Sequence, residues 1–285
     1  GGKISEILLD WFRLNQRDLP WRRTYDPYHV WISEIMLQQT QMERGVNRFI
    51  NWMKLFPDVV AVADADEREI LKAWEGLGYY ARARNLHRAA KLIVAEHDGV
   101  VPSDYRVLLA LPGIGPYTAA AISSIAGNND IATIDANVLR VMARLFDIEG
   151  IAKERVVRAK IEKLVHELLP KGKARNFNQA LMEFGALVCR PKKPECIDCP
   201  LCTYCKALAS GTIAERPQLS TPTAVVEELW LAALLLRDGK ILIRKRPSHG
   251  LWGGLWEFPG GKVEKTTARI SAARIKQMVE ADCGL

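Results

Sequence analysis

The segment Leu111-Pro112-Gly113-Ile114-Gly115-Pro116-Tyr117-Thr118 constrains the fold of this chain more than any other. Pro-Gly-x-Gly followed by a run of small residues predicts a tight turn between two helices. Gly113 and Gly115 can take backbone conformations that a Cβ penalises, and they let a large partner approach the main chain. Pro116 is placed as a first-turn proline, where its missing N–H costs nothing. The free amides of such a turn face outward at the positive end of a helix, a setting that suits a phosphate. Taken alone, the segment could equally be an ordinary helical hairpin.

The pattern around it is helical. Residues 4–215 predict a first amphipathic helix at 4–13, two helices between Pro27 and Leu55, and one at 67–74 capped by Asp66. Further helices are expected at 80–96, in a short piece capped by Ser103, and at 117–126, 137–146, 154–168 and 176–188. Arg216-Pro217-Gln218-Leu219-Ser220-Thr221-Pro222 predicts a polar linker. After it, 225–237 and 240–244 read as strands joined by Asp238-Gly239, and 268–280 as a helix. An all-α domain followed by a smaller α/β one is therefore expected.

At 285 residues the chain can hold two domains that each bury a core. A content of 48% hydrophobic and 26% charged residues predicts a soluble globular protein. The net charge of +7 favours a polyanionic partner. No apolar run approaches the roughly 20 residues of a membrane span. The start has helical periodicity rather than the apolar core of a signal peptide. A cytoplasmic, nucleoid-associated bacterial protein is expected.

Five of the six cysteines crowd between Cys189 and Cys205. In a reducing compartment that argues for metal rather than disulfides. Cys189-x6-Cys196-x2-Cys199-x5-Cys205 puts four thiolates on one short loop, enough for a [4Fe–4S] cluster or a zinc ion. Cys202 forms a second run with Cys196 and Cys199, which leaves alternative ligation open.

Two acids stand out. Asp135 follows Ile131-Ala132-Thr133-Ile134 and precedes a helix, the ordinary place of an N-cap. Glu34 lies in Ser33-Glu34-Ile35-Met36-Leu37-Gln38-Gln39-Thr40-Gln41 and could simply occupy a solvent face. Apolar surroundings would instead raise its pKa and let it deliver a proton.

The hairpin, the cysteine spacing and the 33–41 run together resemble the helix–hairpin–helix DNA glycosylases, and among them the adenine DNA glycosylase (MutY) family. That resemblance covers nearly the whole chain. It implies an all-α fold with a six-helix barrel at about 23–130 and a cluster module formed by 1–22 and 131–215. A linker at 216–224 and a partial α/β, Nudix-like lesion-recognition domain at 225–285 would follow. It further implies a [4Fe–4S] cluster on Cys189, Cys196, Cys199 and Cys205. The cluster would be structural, holding Arg190, Lys192 and Lys193 toward DNA phosphates.

By the same resemblance, Glu34 would protonate adenine at N7, because adenine leaves poorly as an anion. Asp135 would stabilise the positive charge that develops at C1′ of an extruded nucleotide, and Asn137 would position substrate or water. Tyr117 stands where strand-cutting relatives carry a Schiff-base lysine, which implies a monofunctional enzyme. It could still donate a hydrogen bond toward Asp135 or Glu34. Gln38, Gln39, Thr40, Leu77, Gly78 and Tyr79 would read or wedge the duplex, Tyr79 by intercalation. Tyr79 and Tyr80 could otherwise be core aromatics. Gly113 and Gly115 would approach the DNA backbone, Arg22 beside Trp21 would line the adenine pocket, and Arg82, Arg84, Asn85 and His87 would meet phosphates.

Leu251-Trp252-Gly253-Gly254-Leu255-Trp256-Glu257-Phe258-Pro259-Gly260-Gly261 resembles the opening of a Nudix fold. A Nudix hydrolase then needs an acidic helix for magnesium, but here Lys276 stands where an acid is expected. The resemblance implies a module that recognises 8-oxoguanine opposite the adenine. Such a domain would continue past Leu285, so its main lesion-reading loop is expected to be absent.

The expected protein is a monomeric, monofunctional glycosylase acting on double-stranded DNA at adenine mispaired with 8-oxoguanine or guanine. One rival is a thymine or uracil mismatch glycosylase, which would not need Glu34 in this role. The other is a mismatch-binding protein without turnover, against which the intact acid pair argues.

Overall fold

Twelve α-helices, taken in chain order, build the first and larger part of the molecule, seen in a computed structural model that describes residues 2–38, 40–218, 226–247, 250, 252–263 and 271–283. They are α1 (Gly2–Asn15), α2 (Pro27–Leu37), α3 (Met42–Leu55), α4 (Val59–Asp64), α5 (Glu67–Ala73) and α6 (Ala81–Glu96). Then come α7 (Tyr105–Ala110), α8 (Pro116–Ile125), α9 (Ala136–Leu145), α10 (Arg155–Leu168), α11 (Ala174–Leu187) and α12 (Lys206–Ala209). Side-chain caps set several starts, because the first amides of a helix lack backbone partners. Asp26 caps α2, Asp58 caps α4, and Asp66 forms a reciprocal capping box with Glu69. Asp104, not Ser103, caps α7, accepting from the amides of Arg106 and Val107.

Two hydrophobic cores divide this helical part. Trp31, Trp52, Trp74, Ile70, Ile93, Leu108 and Ile122 lie in the first, under α2–α8. Leu8, Phe12, Val138, Met142, Ile161, Val165, Phe177 and Leu201 lie in the second, which joins α1 to α9–α11 and the cysteine loop. Helix α8 is buried from Thr118 to Ile125, and its alanines let α2, α7 and α11 pack around it. A cleft described below lies where the two cores meet.

The α7–α8 turn differs in one detail from the sequence expectation. Gly113 has φ +77°, and a Cβ there would stand 2.6 Å from Asn85 Cβ, so glycine is required twice over. Gly115 has an ordinary φ of −88° as the residue before α8, and space beside it is open. It needs no special backbone freedom. Pro116 occupies the first turn, as its lack of an N–H allows.

The chain divides into two compact units, Gly1–Ser220 and Thr221–Leu285. The second contains, in chain order, β1 (Leu229–Ala232), β2 (Leu236–Arg237), β3 (Lys240–Ile241), β4 (Arg244–Lys245), β5 (Trp256–Glu257) and β6 (Gly260–Val263). Pairing is antiparallel: β1 with β6, β2 with β3, and β4 with β5. Asp238 and Gly239 both have positive φ, the requirement of a tight two-residue hairpin between β2 and β3. The long strands expected from the sequence are broken into these short pieces. Helix α13 (Ala272–Cys283) packs on β6 and starts later than expected; residues 264–270 lie outside the described ones.

Candidate active site

Helix α2 carries Glu34 on the face turned toward α8 and α9. There it meets a cleft of about 330 Å³ lined by Arg22, Glu34, Thr40, Tyr117, Asp135, Asn137, Gln179, Met182 and Glu183. That volume is at the lower end of small-ligand sites. Trp21, Val30 and Leu37 complete its apolar wall. Glu34 is half-buried, so the solvent-face alternative does not hold.

Tyr117 Oη, at the start of α8, donates to Glu34 Oε2 at 2.9 Å. Burial pushes the Glu34 carboxyl up to about 7, the Tyr117 hydrogen bond pulls it down, and the nearby Asp135 charge pushes it up again. Tyr117 itself rises well above the usual phenol range, first by burial and then by the two carboxylates.

Asp135 is both an N-cap and a cleft residue. Its Oδ1 accepts from the Val138 amide at 2.7 Å, and its Oδ2 accepts from Asn137 Nδ2 at 2.7 Å. Burial raises its pKa, while these two hydrogen bonds act to lower it. Both oxygens are therefore oriented before any substrate arrives. Asn137 Oδ1 accepts from Arg140 Nη2 at 2.8 Å, and Arg140 Nε donates to the Cys189 carbonyl at 2.8 Å. A Cβ on Gly185 would come within 2.6 Å of Asn137 Cβ, so α11 closes directly against this residue.

Glu183 was not singled out by its sequence context, yet it organises the cleft mouth. Its side chain is 1% exposed and holds Arg17 Nη2 at 2.7 Å and Arg22 Nη2 at 3.0 Å. Hydrogen bonds from Arg17 and Arg22 outweigh burial and hold the Glu183 carboxyl down at about 2. The available signal was weak: an isolated acid on the otherwise apolar face of α11 demands a cationic partner.

The residues expected to read the duplex fall in several places, and of Gln38, Thr40, Leu77, Gly78 and Tyr79 the cleft is lined by Thr40. Gln38 Nε2 donates to Thr118 Oγ1 at 3.3 Å, and Thr40 lines the cleft. Gln39 lies outside the described residues. Leu77 is buried, Gly78 has φ +68°, and Tyr79 is 65% exposed with φ +47°. Tyr80 is half-buried against the first core, so the core alternative holds for Tyr80 and not for Tyr79. Gly113 and Gly115 sit in the α7–α8 turn, apart from the cleft lining.

Two residues on α6 depart from a phosphate-binding role. His87 is only 4% exposed, and Arg82 spends its guanidinium on main-chain carbonyls. Arg84 reaches Glu67 at 3.3 Å, and Asn85 Oδ1 accepts from Arg88.

Cys189, Cys196, Cys199, Cys202 and Cys205 line one cavity beside α9. Among the described residues no three His, Cys, Asp or Glu side chains are grouped to hold one metal ion. Soft thiols ringing a common space suit a polynuclear cluster, in which each iron takes its own thiolate. Arg144, 4% exposed on α9, donates to the carbonyls of Arg190 at 2.7 Å and Pro191 at 2.9 Å, and Nη1 lies 3.5 Å from Cys189 Sγ. The loop is thus tied to α9 by Arg140 and Arg144, an i, i+4 arginine pair on a buried helix face.

Among the described residues no helix is long and apolar enough to cross a membrane. Residues 32–167 match the HhH-GPD superfamily base excision DNA repair protein family, and residues 231–283 match the NUDIX domain. The chain is similar to a thermostable thymine-DNA glycosylase at 30% identity and a TM-score of 0.66, covering 73% of this chain and 96% of that one. An endonuclease III in a non-covalent DNA complex shares the fold, with 21% identity, a TM-score of 0.62 and coverage of 73% and 95%. Adenine DNA glycosylase from Arabidopsis thaliana is 35% identical over 90% of this chain and 47% of its own length. That from Homo sapiens is 35% identical over 88% and 56%, so the chain spans about half the length of these two relatives. The adenine DNA glycosylase of Buchnera aphidicola subsp. Schizaphis graminum is 33% identical, with 90% of this chain and 74% of the relative covered. With the helical fold, the cleft and these likenesses in agreement, the chain belongs to the adenine DNA glycosylase family.

Proposed function

We propose that the chain excises adenine from double-stranded DNA by hydrolysing the N-glycosidic bond, at adenine mispaired with 8-oxoguanine or guanine. One observation carries this reading: Glu34 and Asp135 line a single cleft, where Glu34 accepts one hydrogen bond, from Tyr117, and Asp135 accepts on both oxygens, from the Val138 amide and Asn137. Glu34, raised to about 7 by burial, holds a proton near neutral pH. Because Tyr117 occupies Oε2, that proton resides on Oε1 and is available to the N7 position of an extruded adenine. Asp135, held by the Val138 amide and Asn137, is the charge stabiliser for the cationic sugar. A pyrimidine leaving group, which departs as an anion without ring protonation, would not need Glu34 in this role. That is what separates this reading from a thymine glycosylase, the activity named for one structural neighbour.

Tyr117 offers no amine, so the product is an abasic site in an intact strand. Gln38, Gln39, Thr40 and the Leu77–Tyr79 turn would enter the duplex, and Gly113 with Gly115 would approach the backbone. Cys189, Cys196, Cys199 and Cys205 would hold a [4Fe–4S] cluster. When bound, it supplies a cross-link that shapes the loop rather than a reacting group. We divide the chain into a catalytic domain at 1–215, a linker at 216–224 and a Nudix-like lesion reader at 225–285, acting as a monomer in the bacterial cytoplasm. Single-turnover release of free base from duplexes with adenine opposite 8-oxoguanine, guanine or thymine, followed by chromatography, tests this. Release of thymine from a mismatch with no release of adenine would refute it.

A further inference from the structure

Arg82 is the first-turn arginine of α6, and its guanidinium is committed to two separate segments. Nη1 donates to the carbonyls of Ile35 at 2.9 Å and Gln38 at 2.6 Å, at the C-terminal end of α2. Nη2 donates to the carbonyls of Leu77 at 3.0 Å and Gly78 at 3.3 Å. Carbonyls at a helix end and in a tight turn lack regular partners; the Gly78 carbonyl also accepts from Trp74 Nε1 at 3.0 Å, and Arg82 is the donor that reaches both segments. The guanidinium also lies over the Tyr79 ring, 5.4 Å from its centroid, and 5.6 Å from that of Trp74. Burial lowers the pKa of Arg82, and among the described residues no carboxylate forms an ion pair with it. In that setting the charge is satisfied by the carbonyls it bridges.

The two bridged segments have different jobs. Gln38 leads into the residues that face the duplex, and its side chain contacts Thr118, the neighbour of Tyr117. The other segment presents Tyr79, an exposed ring on a left-handed backbone. Arg82 is the side chain that hydrogen-bonds to both the end of α2 and the 76–79 turn.

We infer that Arg82 is a positioning residue that ties the loop after α2 to the turn carrying Tyr79, so that wedge insertion and placement of the extruded base occur in register. The inference rests on the proposed base-extruding activity. Lysine cannot replace this arginine, because one ammonium has neither the fork geometry nor the planar face for two carbonyl pairs and a ring.

The test compares Arg82→Lys with wild type in single-turnover base release at saturating protein. On adenine opposite 8-oxoguanine the rate should fall by about tenfold or more, in the range of couplings between contacting groups. On adenine facing an abasic-site analogue, where unpairing costs less, the loss should be under about threefold. Adding Tyr79→Ala should cost Arg82→Lys little more, since the wedge is already out of register. Equal losses on both substrates, or full additivity with Tyr79→Ala, would assign Arg82 to fold maintenance and overturn the inference.

Hydrogen exchange supplies a reading that does not depend on an Arg82 variant folding. DNA should protect the amides of Leu37, Gln38 and Thr40 in wild type, and Tyr79→Ala, at an exposed site, should weaken that protection several-fold. Protection of Leu37, Gln38 and Thr40 that is unchanged in Tyr79→Ala means the segments are independent, which also overturns it. A wild-type protein that releases no adenine from any duplex would instead remove the proposed activity itself.

Discussion

Tyr117 and Glu34 are joined by a 2.9 Å hydrogen bond in which the phenol donates, although 83 residues separate them in the chain. The bond draws the Glu34 pKa down against a larger upward push from burial, and the balance lies at about 7. It also places the hairpin that begins α8 directly beside the carboxyl on α2. A lysine in that place would compete for the same oxygen, so one position bears on both proton delivery and strand cutting.

Glu34→Gln should keep DNA affinity and lose base release by at least about 100-fold, the low end of general acid contributions. Asp135→Asn should lose a comparable factor, because an amide cannot balance the cationic sugar. Quench-flow base release and a fluorescence-anisotropy titration read the two quantities separately. Normal release by Glu34→Gln would mean that the proton comes from elsewhere.

The pH profile follows from the same group. Glu34 must be protonated to act, so release should decline as pH rises through about 7. Its coupling to Asp135 makes the observed value a property of the pair. Glu34→Gln should show no such alkaline limb in whatever activity remains. A rate that climbs steadily from pH 6 to pH 8 in wild type would contradict the assignment of the acid.

Strand cutting should be nearly absent in wild type, with a break appearing only after alkali and little complex trapped by borohydride. Tyr117→Lys should increase both trapping and scission: burial there favours the neutral amine that attacks C1′, against the two carboxylates, which favour the ammonium. Efficient trapping through another lysine in wild type would show that Tyr117 does not control the pathway.

Iron should be bound at about four per chain. Cys199→Ser should lose it, together with the visible charge-transfer absorption, whereas Cys202→Ser should retain both. Equal loss from the two variants would assign the ligands differently, with Cys202 among them.

Glu183→Ala leaves Arg17 and Arg22 facing each other without their carboxylate, and should lower stability by about 3–5 kcal/mol in denaturant unfolding. The wild-type contribution has a definite pH window. Because the folded pKa is near 2, below the ordinary value of 4.5, the stabilisation is complete above 4.5 and lost as pH falls through 2. Glu34 has the opposite sign: with a folded pKa near 7, it weakens the fold as pH rises from 4.5 to 7. A Glu183→Ala protein that is as stable as wild type at pH 7 would show that the arginines find other partners.

Much of this molecule follows from local chemistry. Caps, prolines and glycines placed most helices of the first unit within a few residues, because an N-cap or a first-turn proline acts within one helical turn. The Asp238-Gly239 hairpin was equally legible, since positive φ at two successive residues is a local demand. Helix α4 was not anticipated: six residues of mainly valine and alanine carry too short a period to distinguish helix from strand. Short strands in the second unit escaped for a related reason, as β pairing depends on partners far along the chain.

The acids, the hairpin tyrosine and the spaced cysteines were evident as residue types before any fold was known. Which of them share a cleft, and which oxygen each hydrogen bond occupies, depended on α2, α8 and α9 converging at the meeting of two cores. The same holds for charges that turn inward. Arg82 and His87 share a helix with exposed basic residues, and nothing in local sequence separates them. Glu183, Arg140 and Arg144 show the reason most clearly: a buried charge is tolerated only where distant partners satisfy it, and those partners come from segments that only tertiary packing brings together.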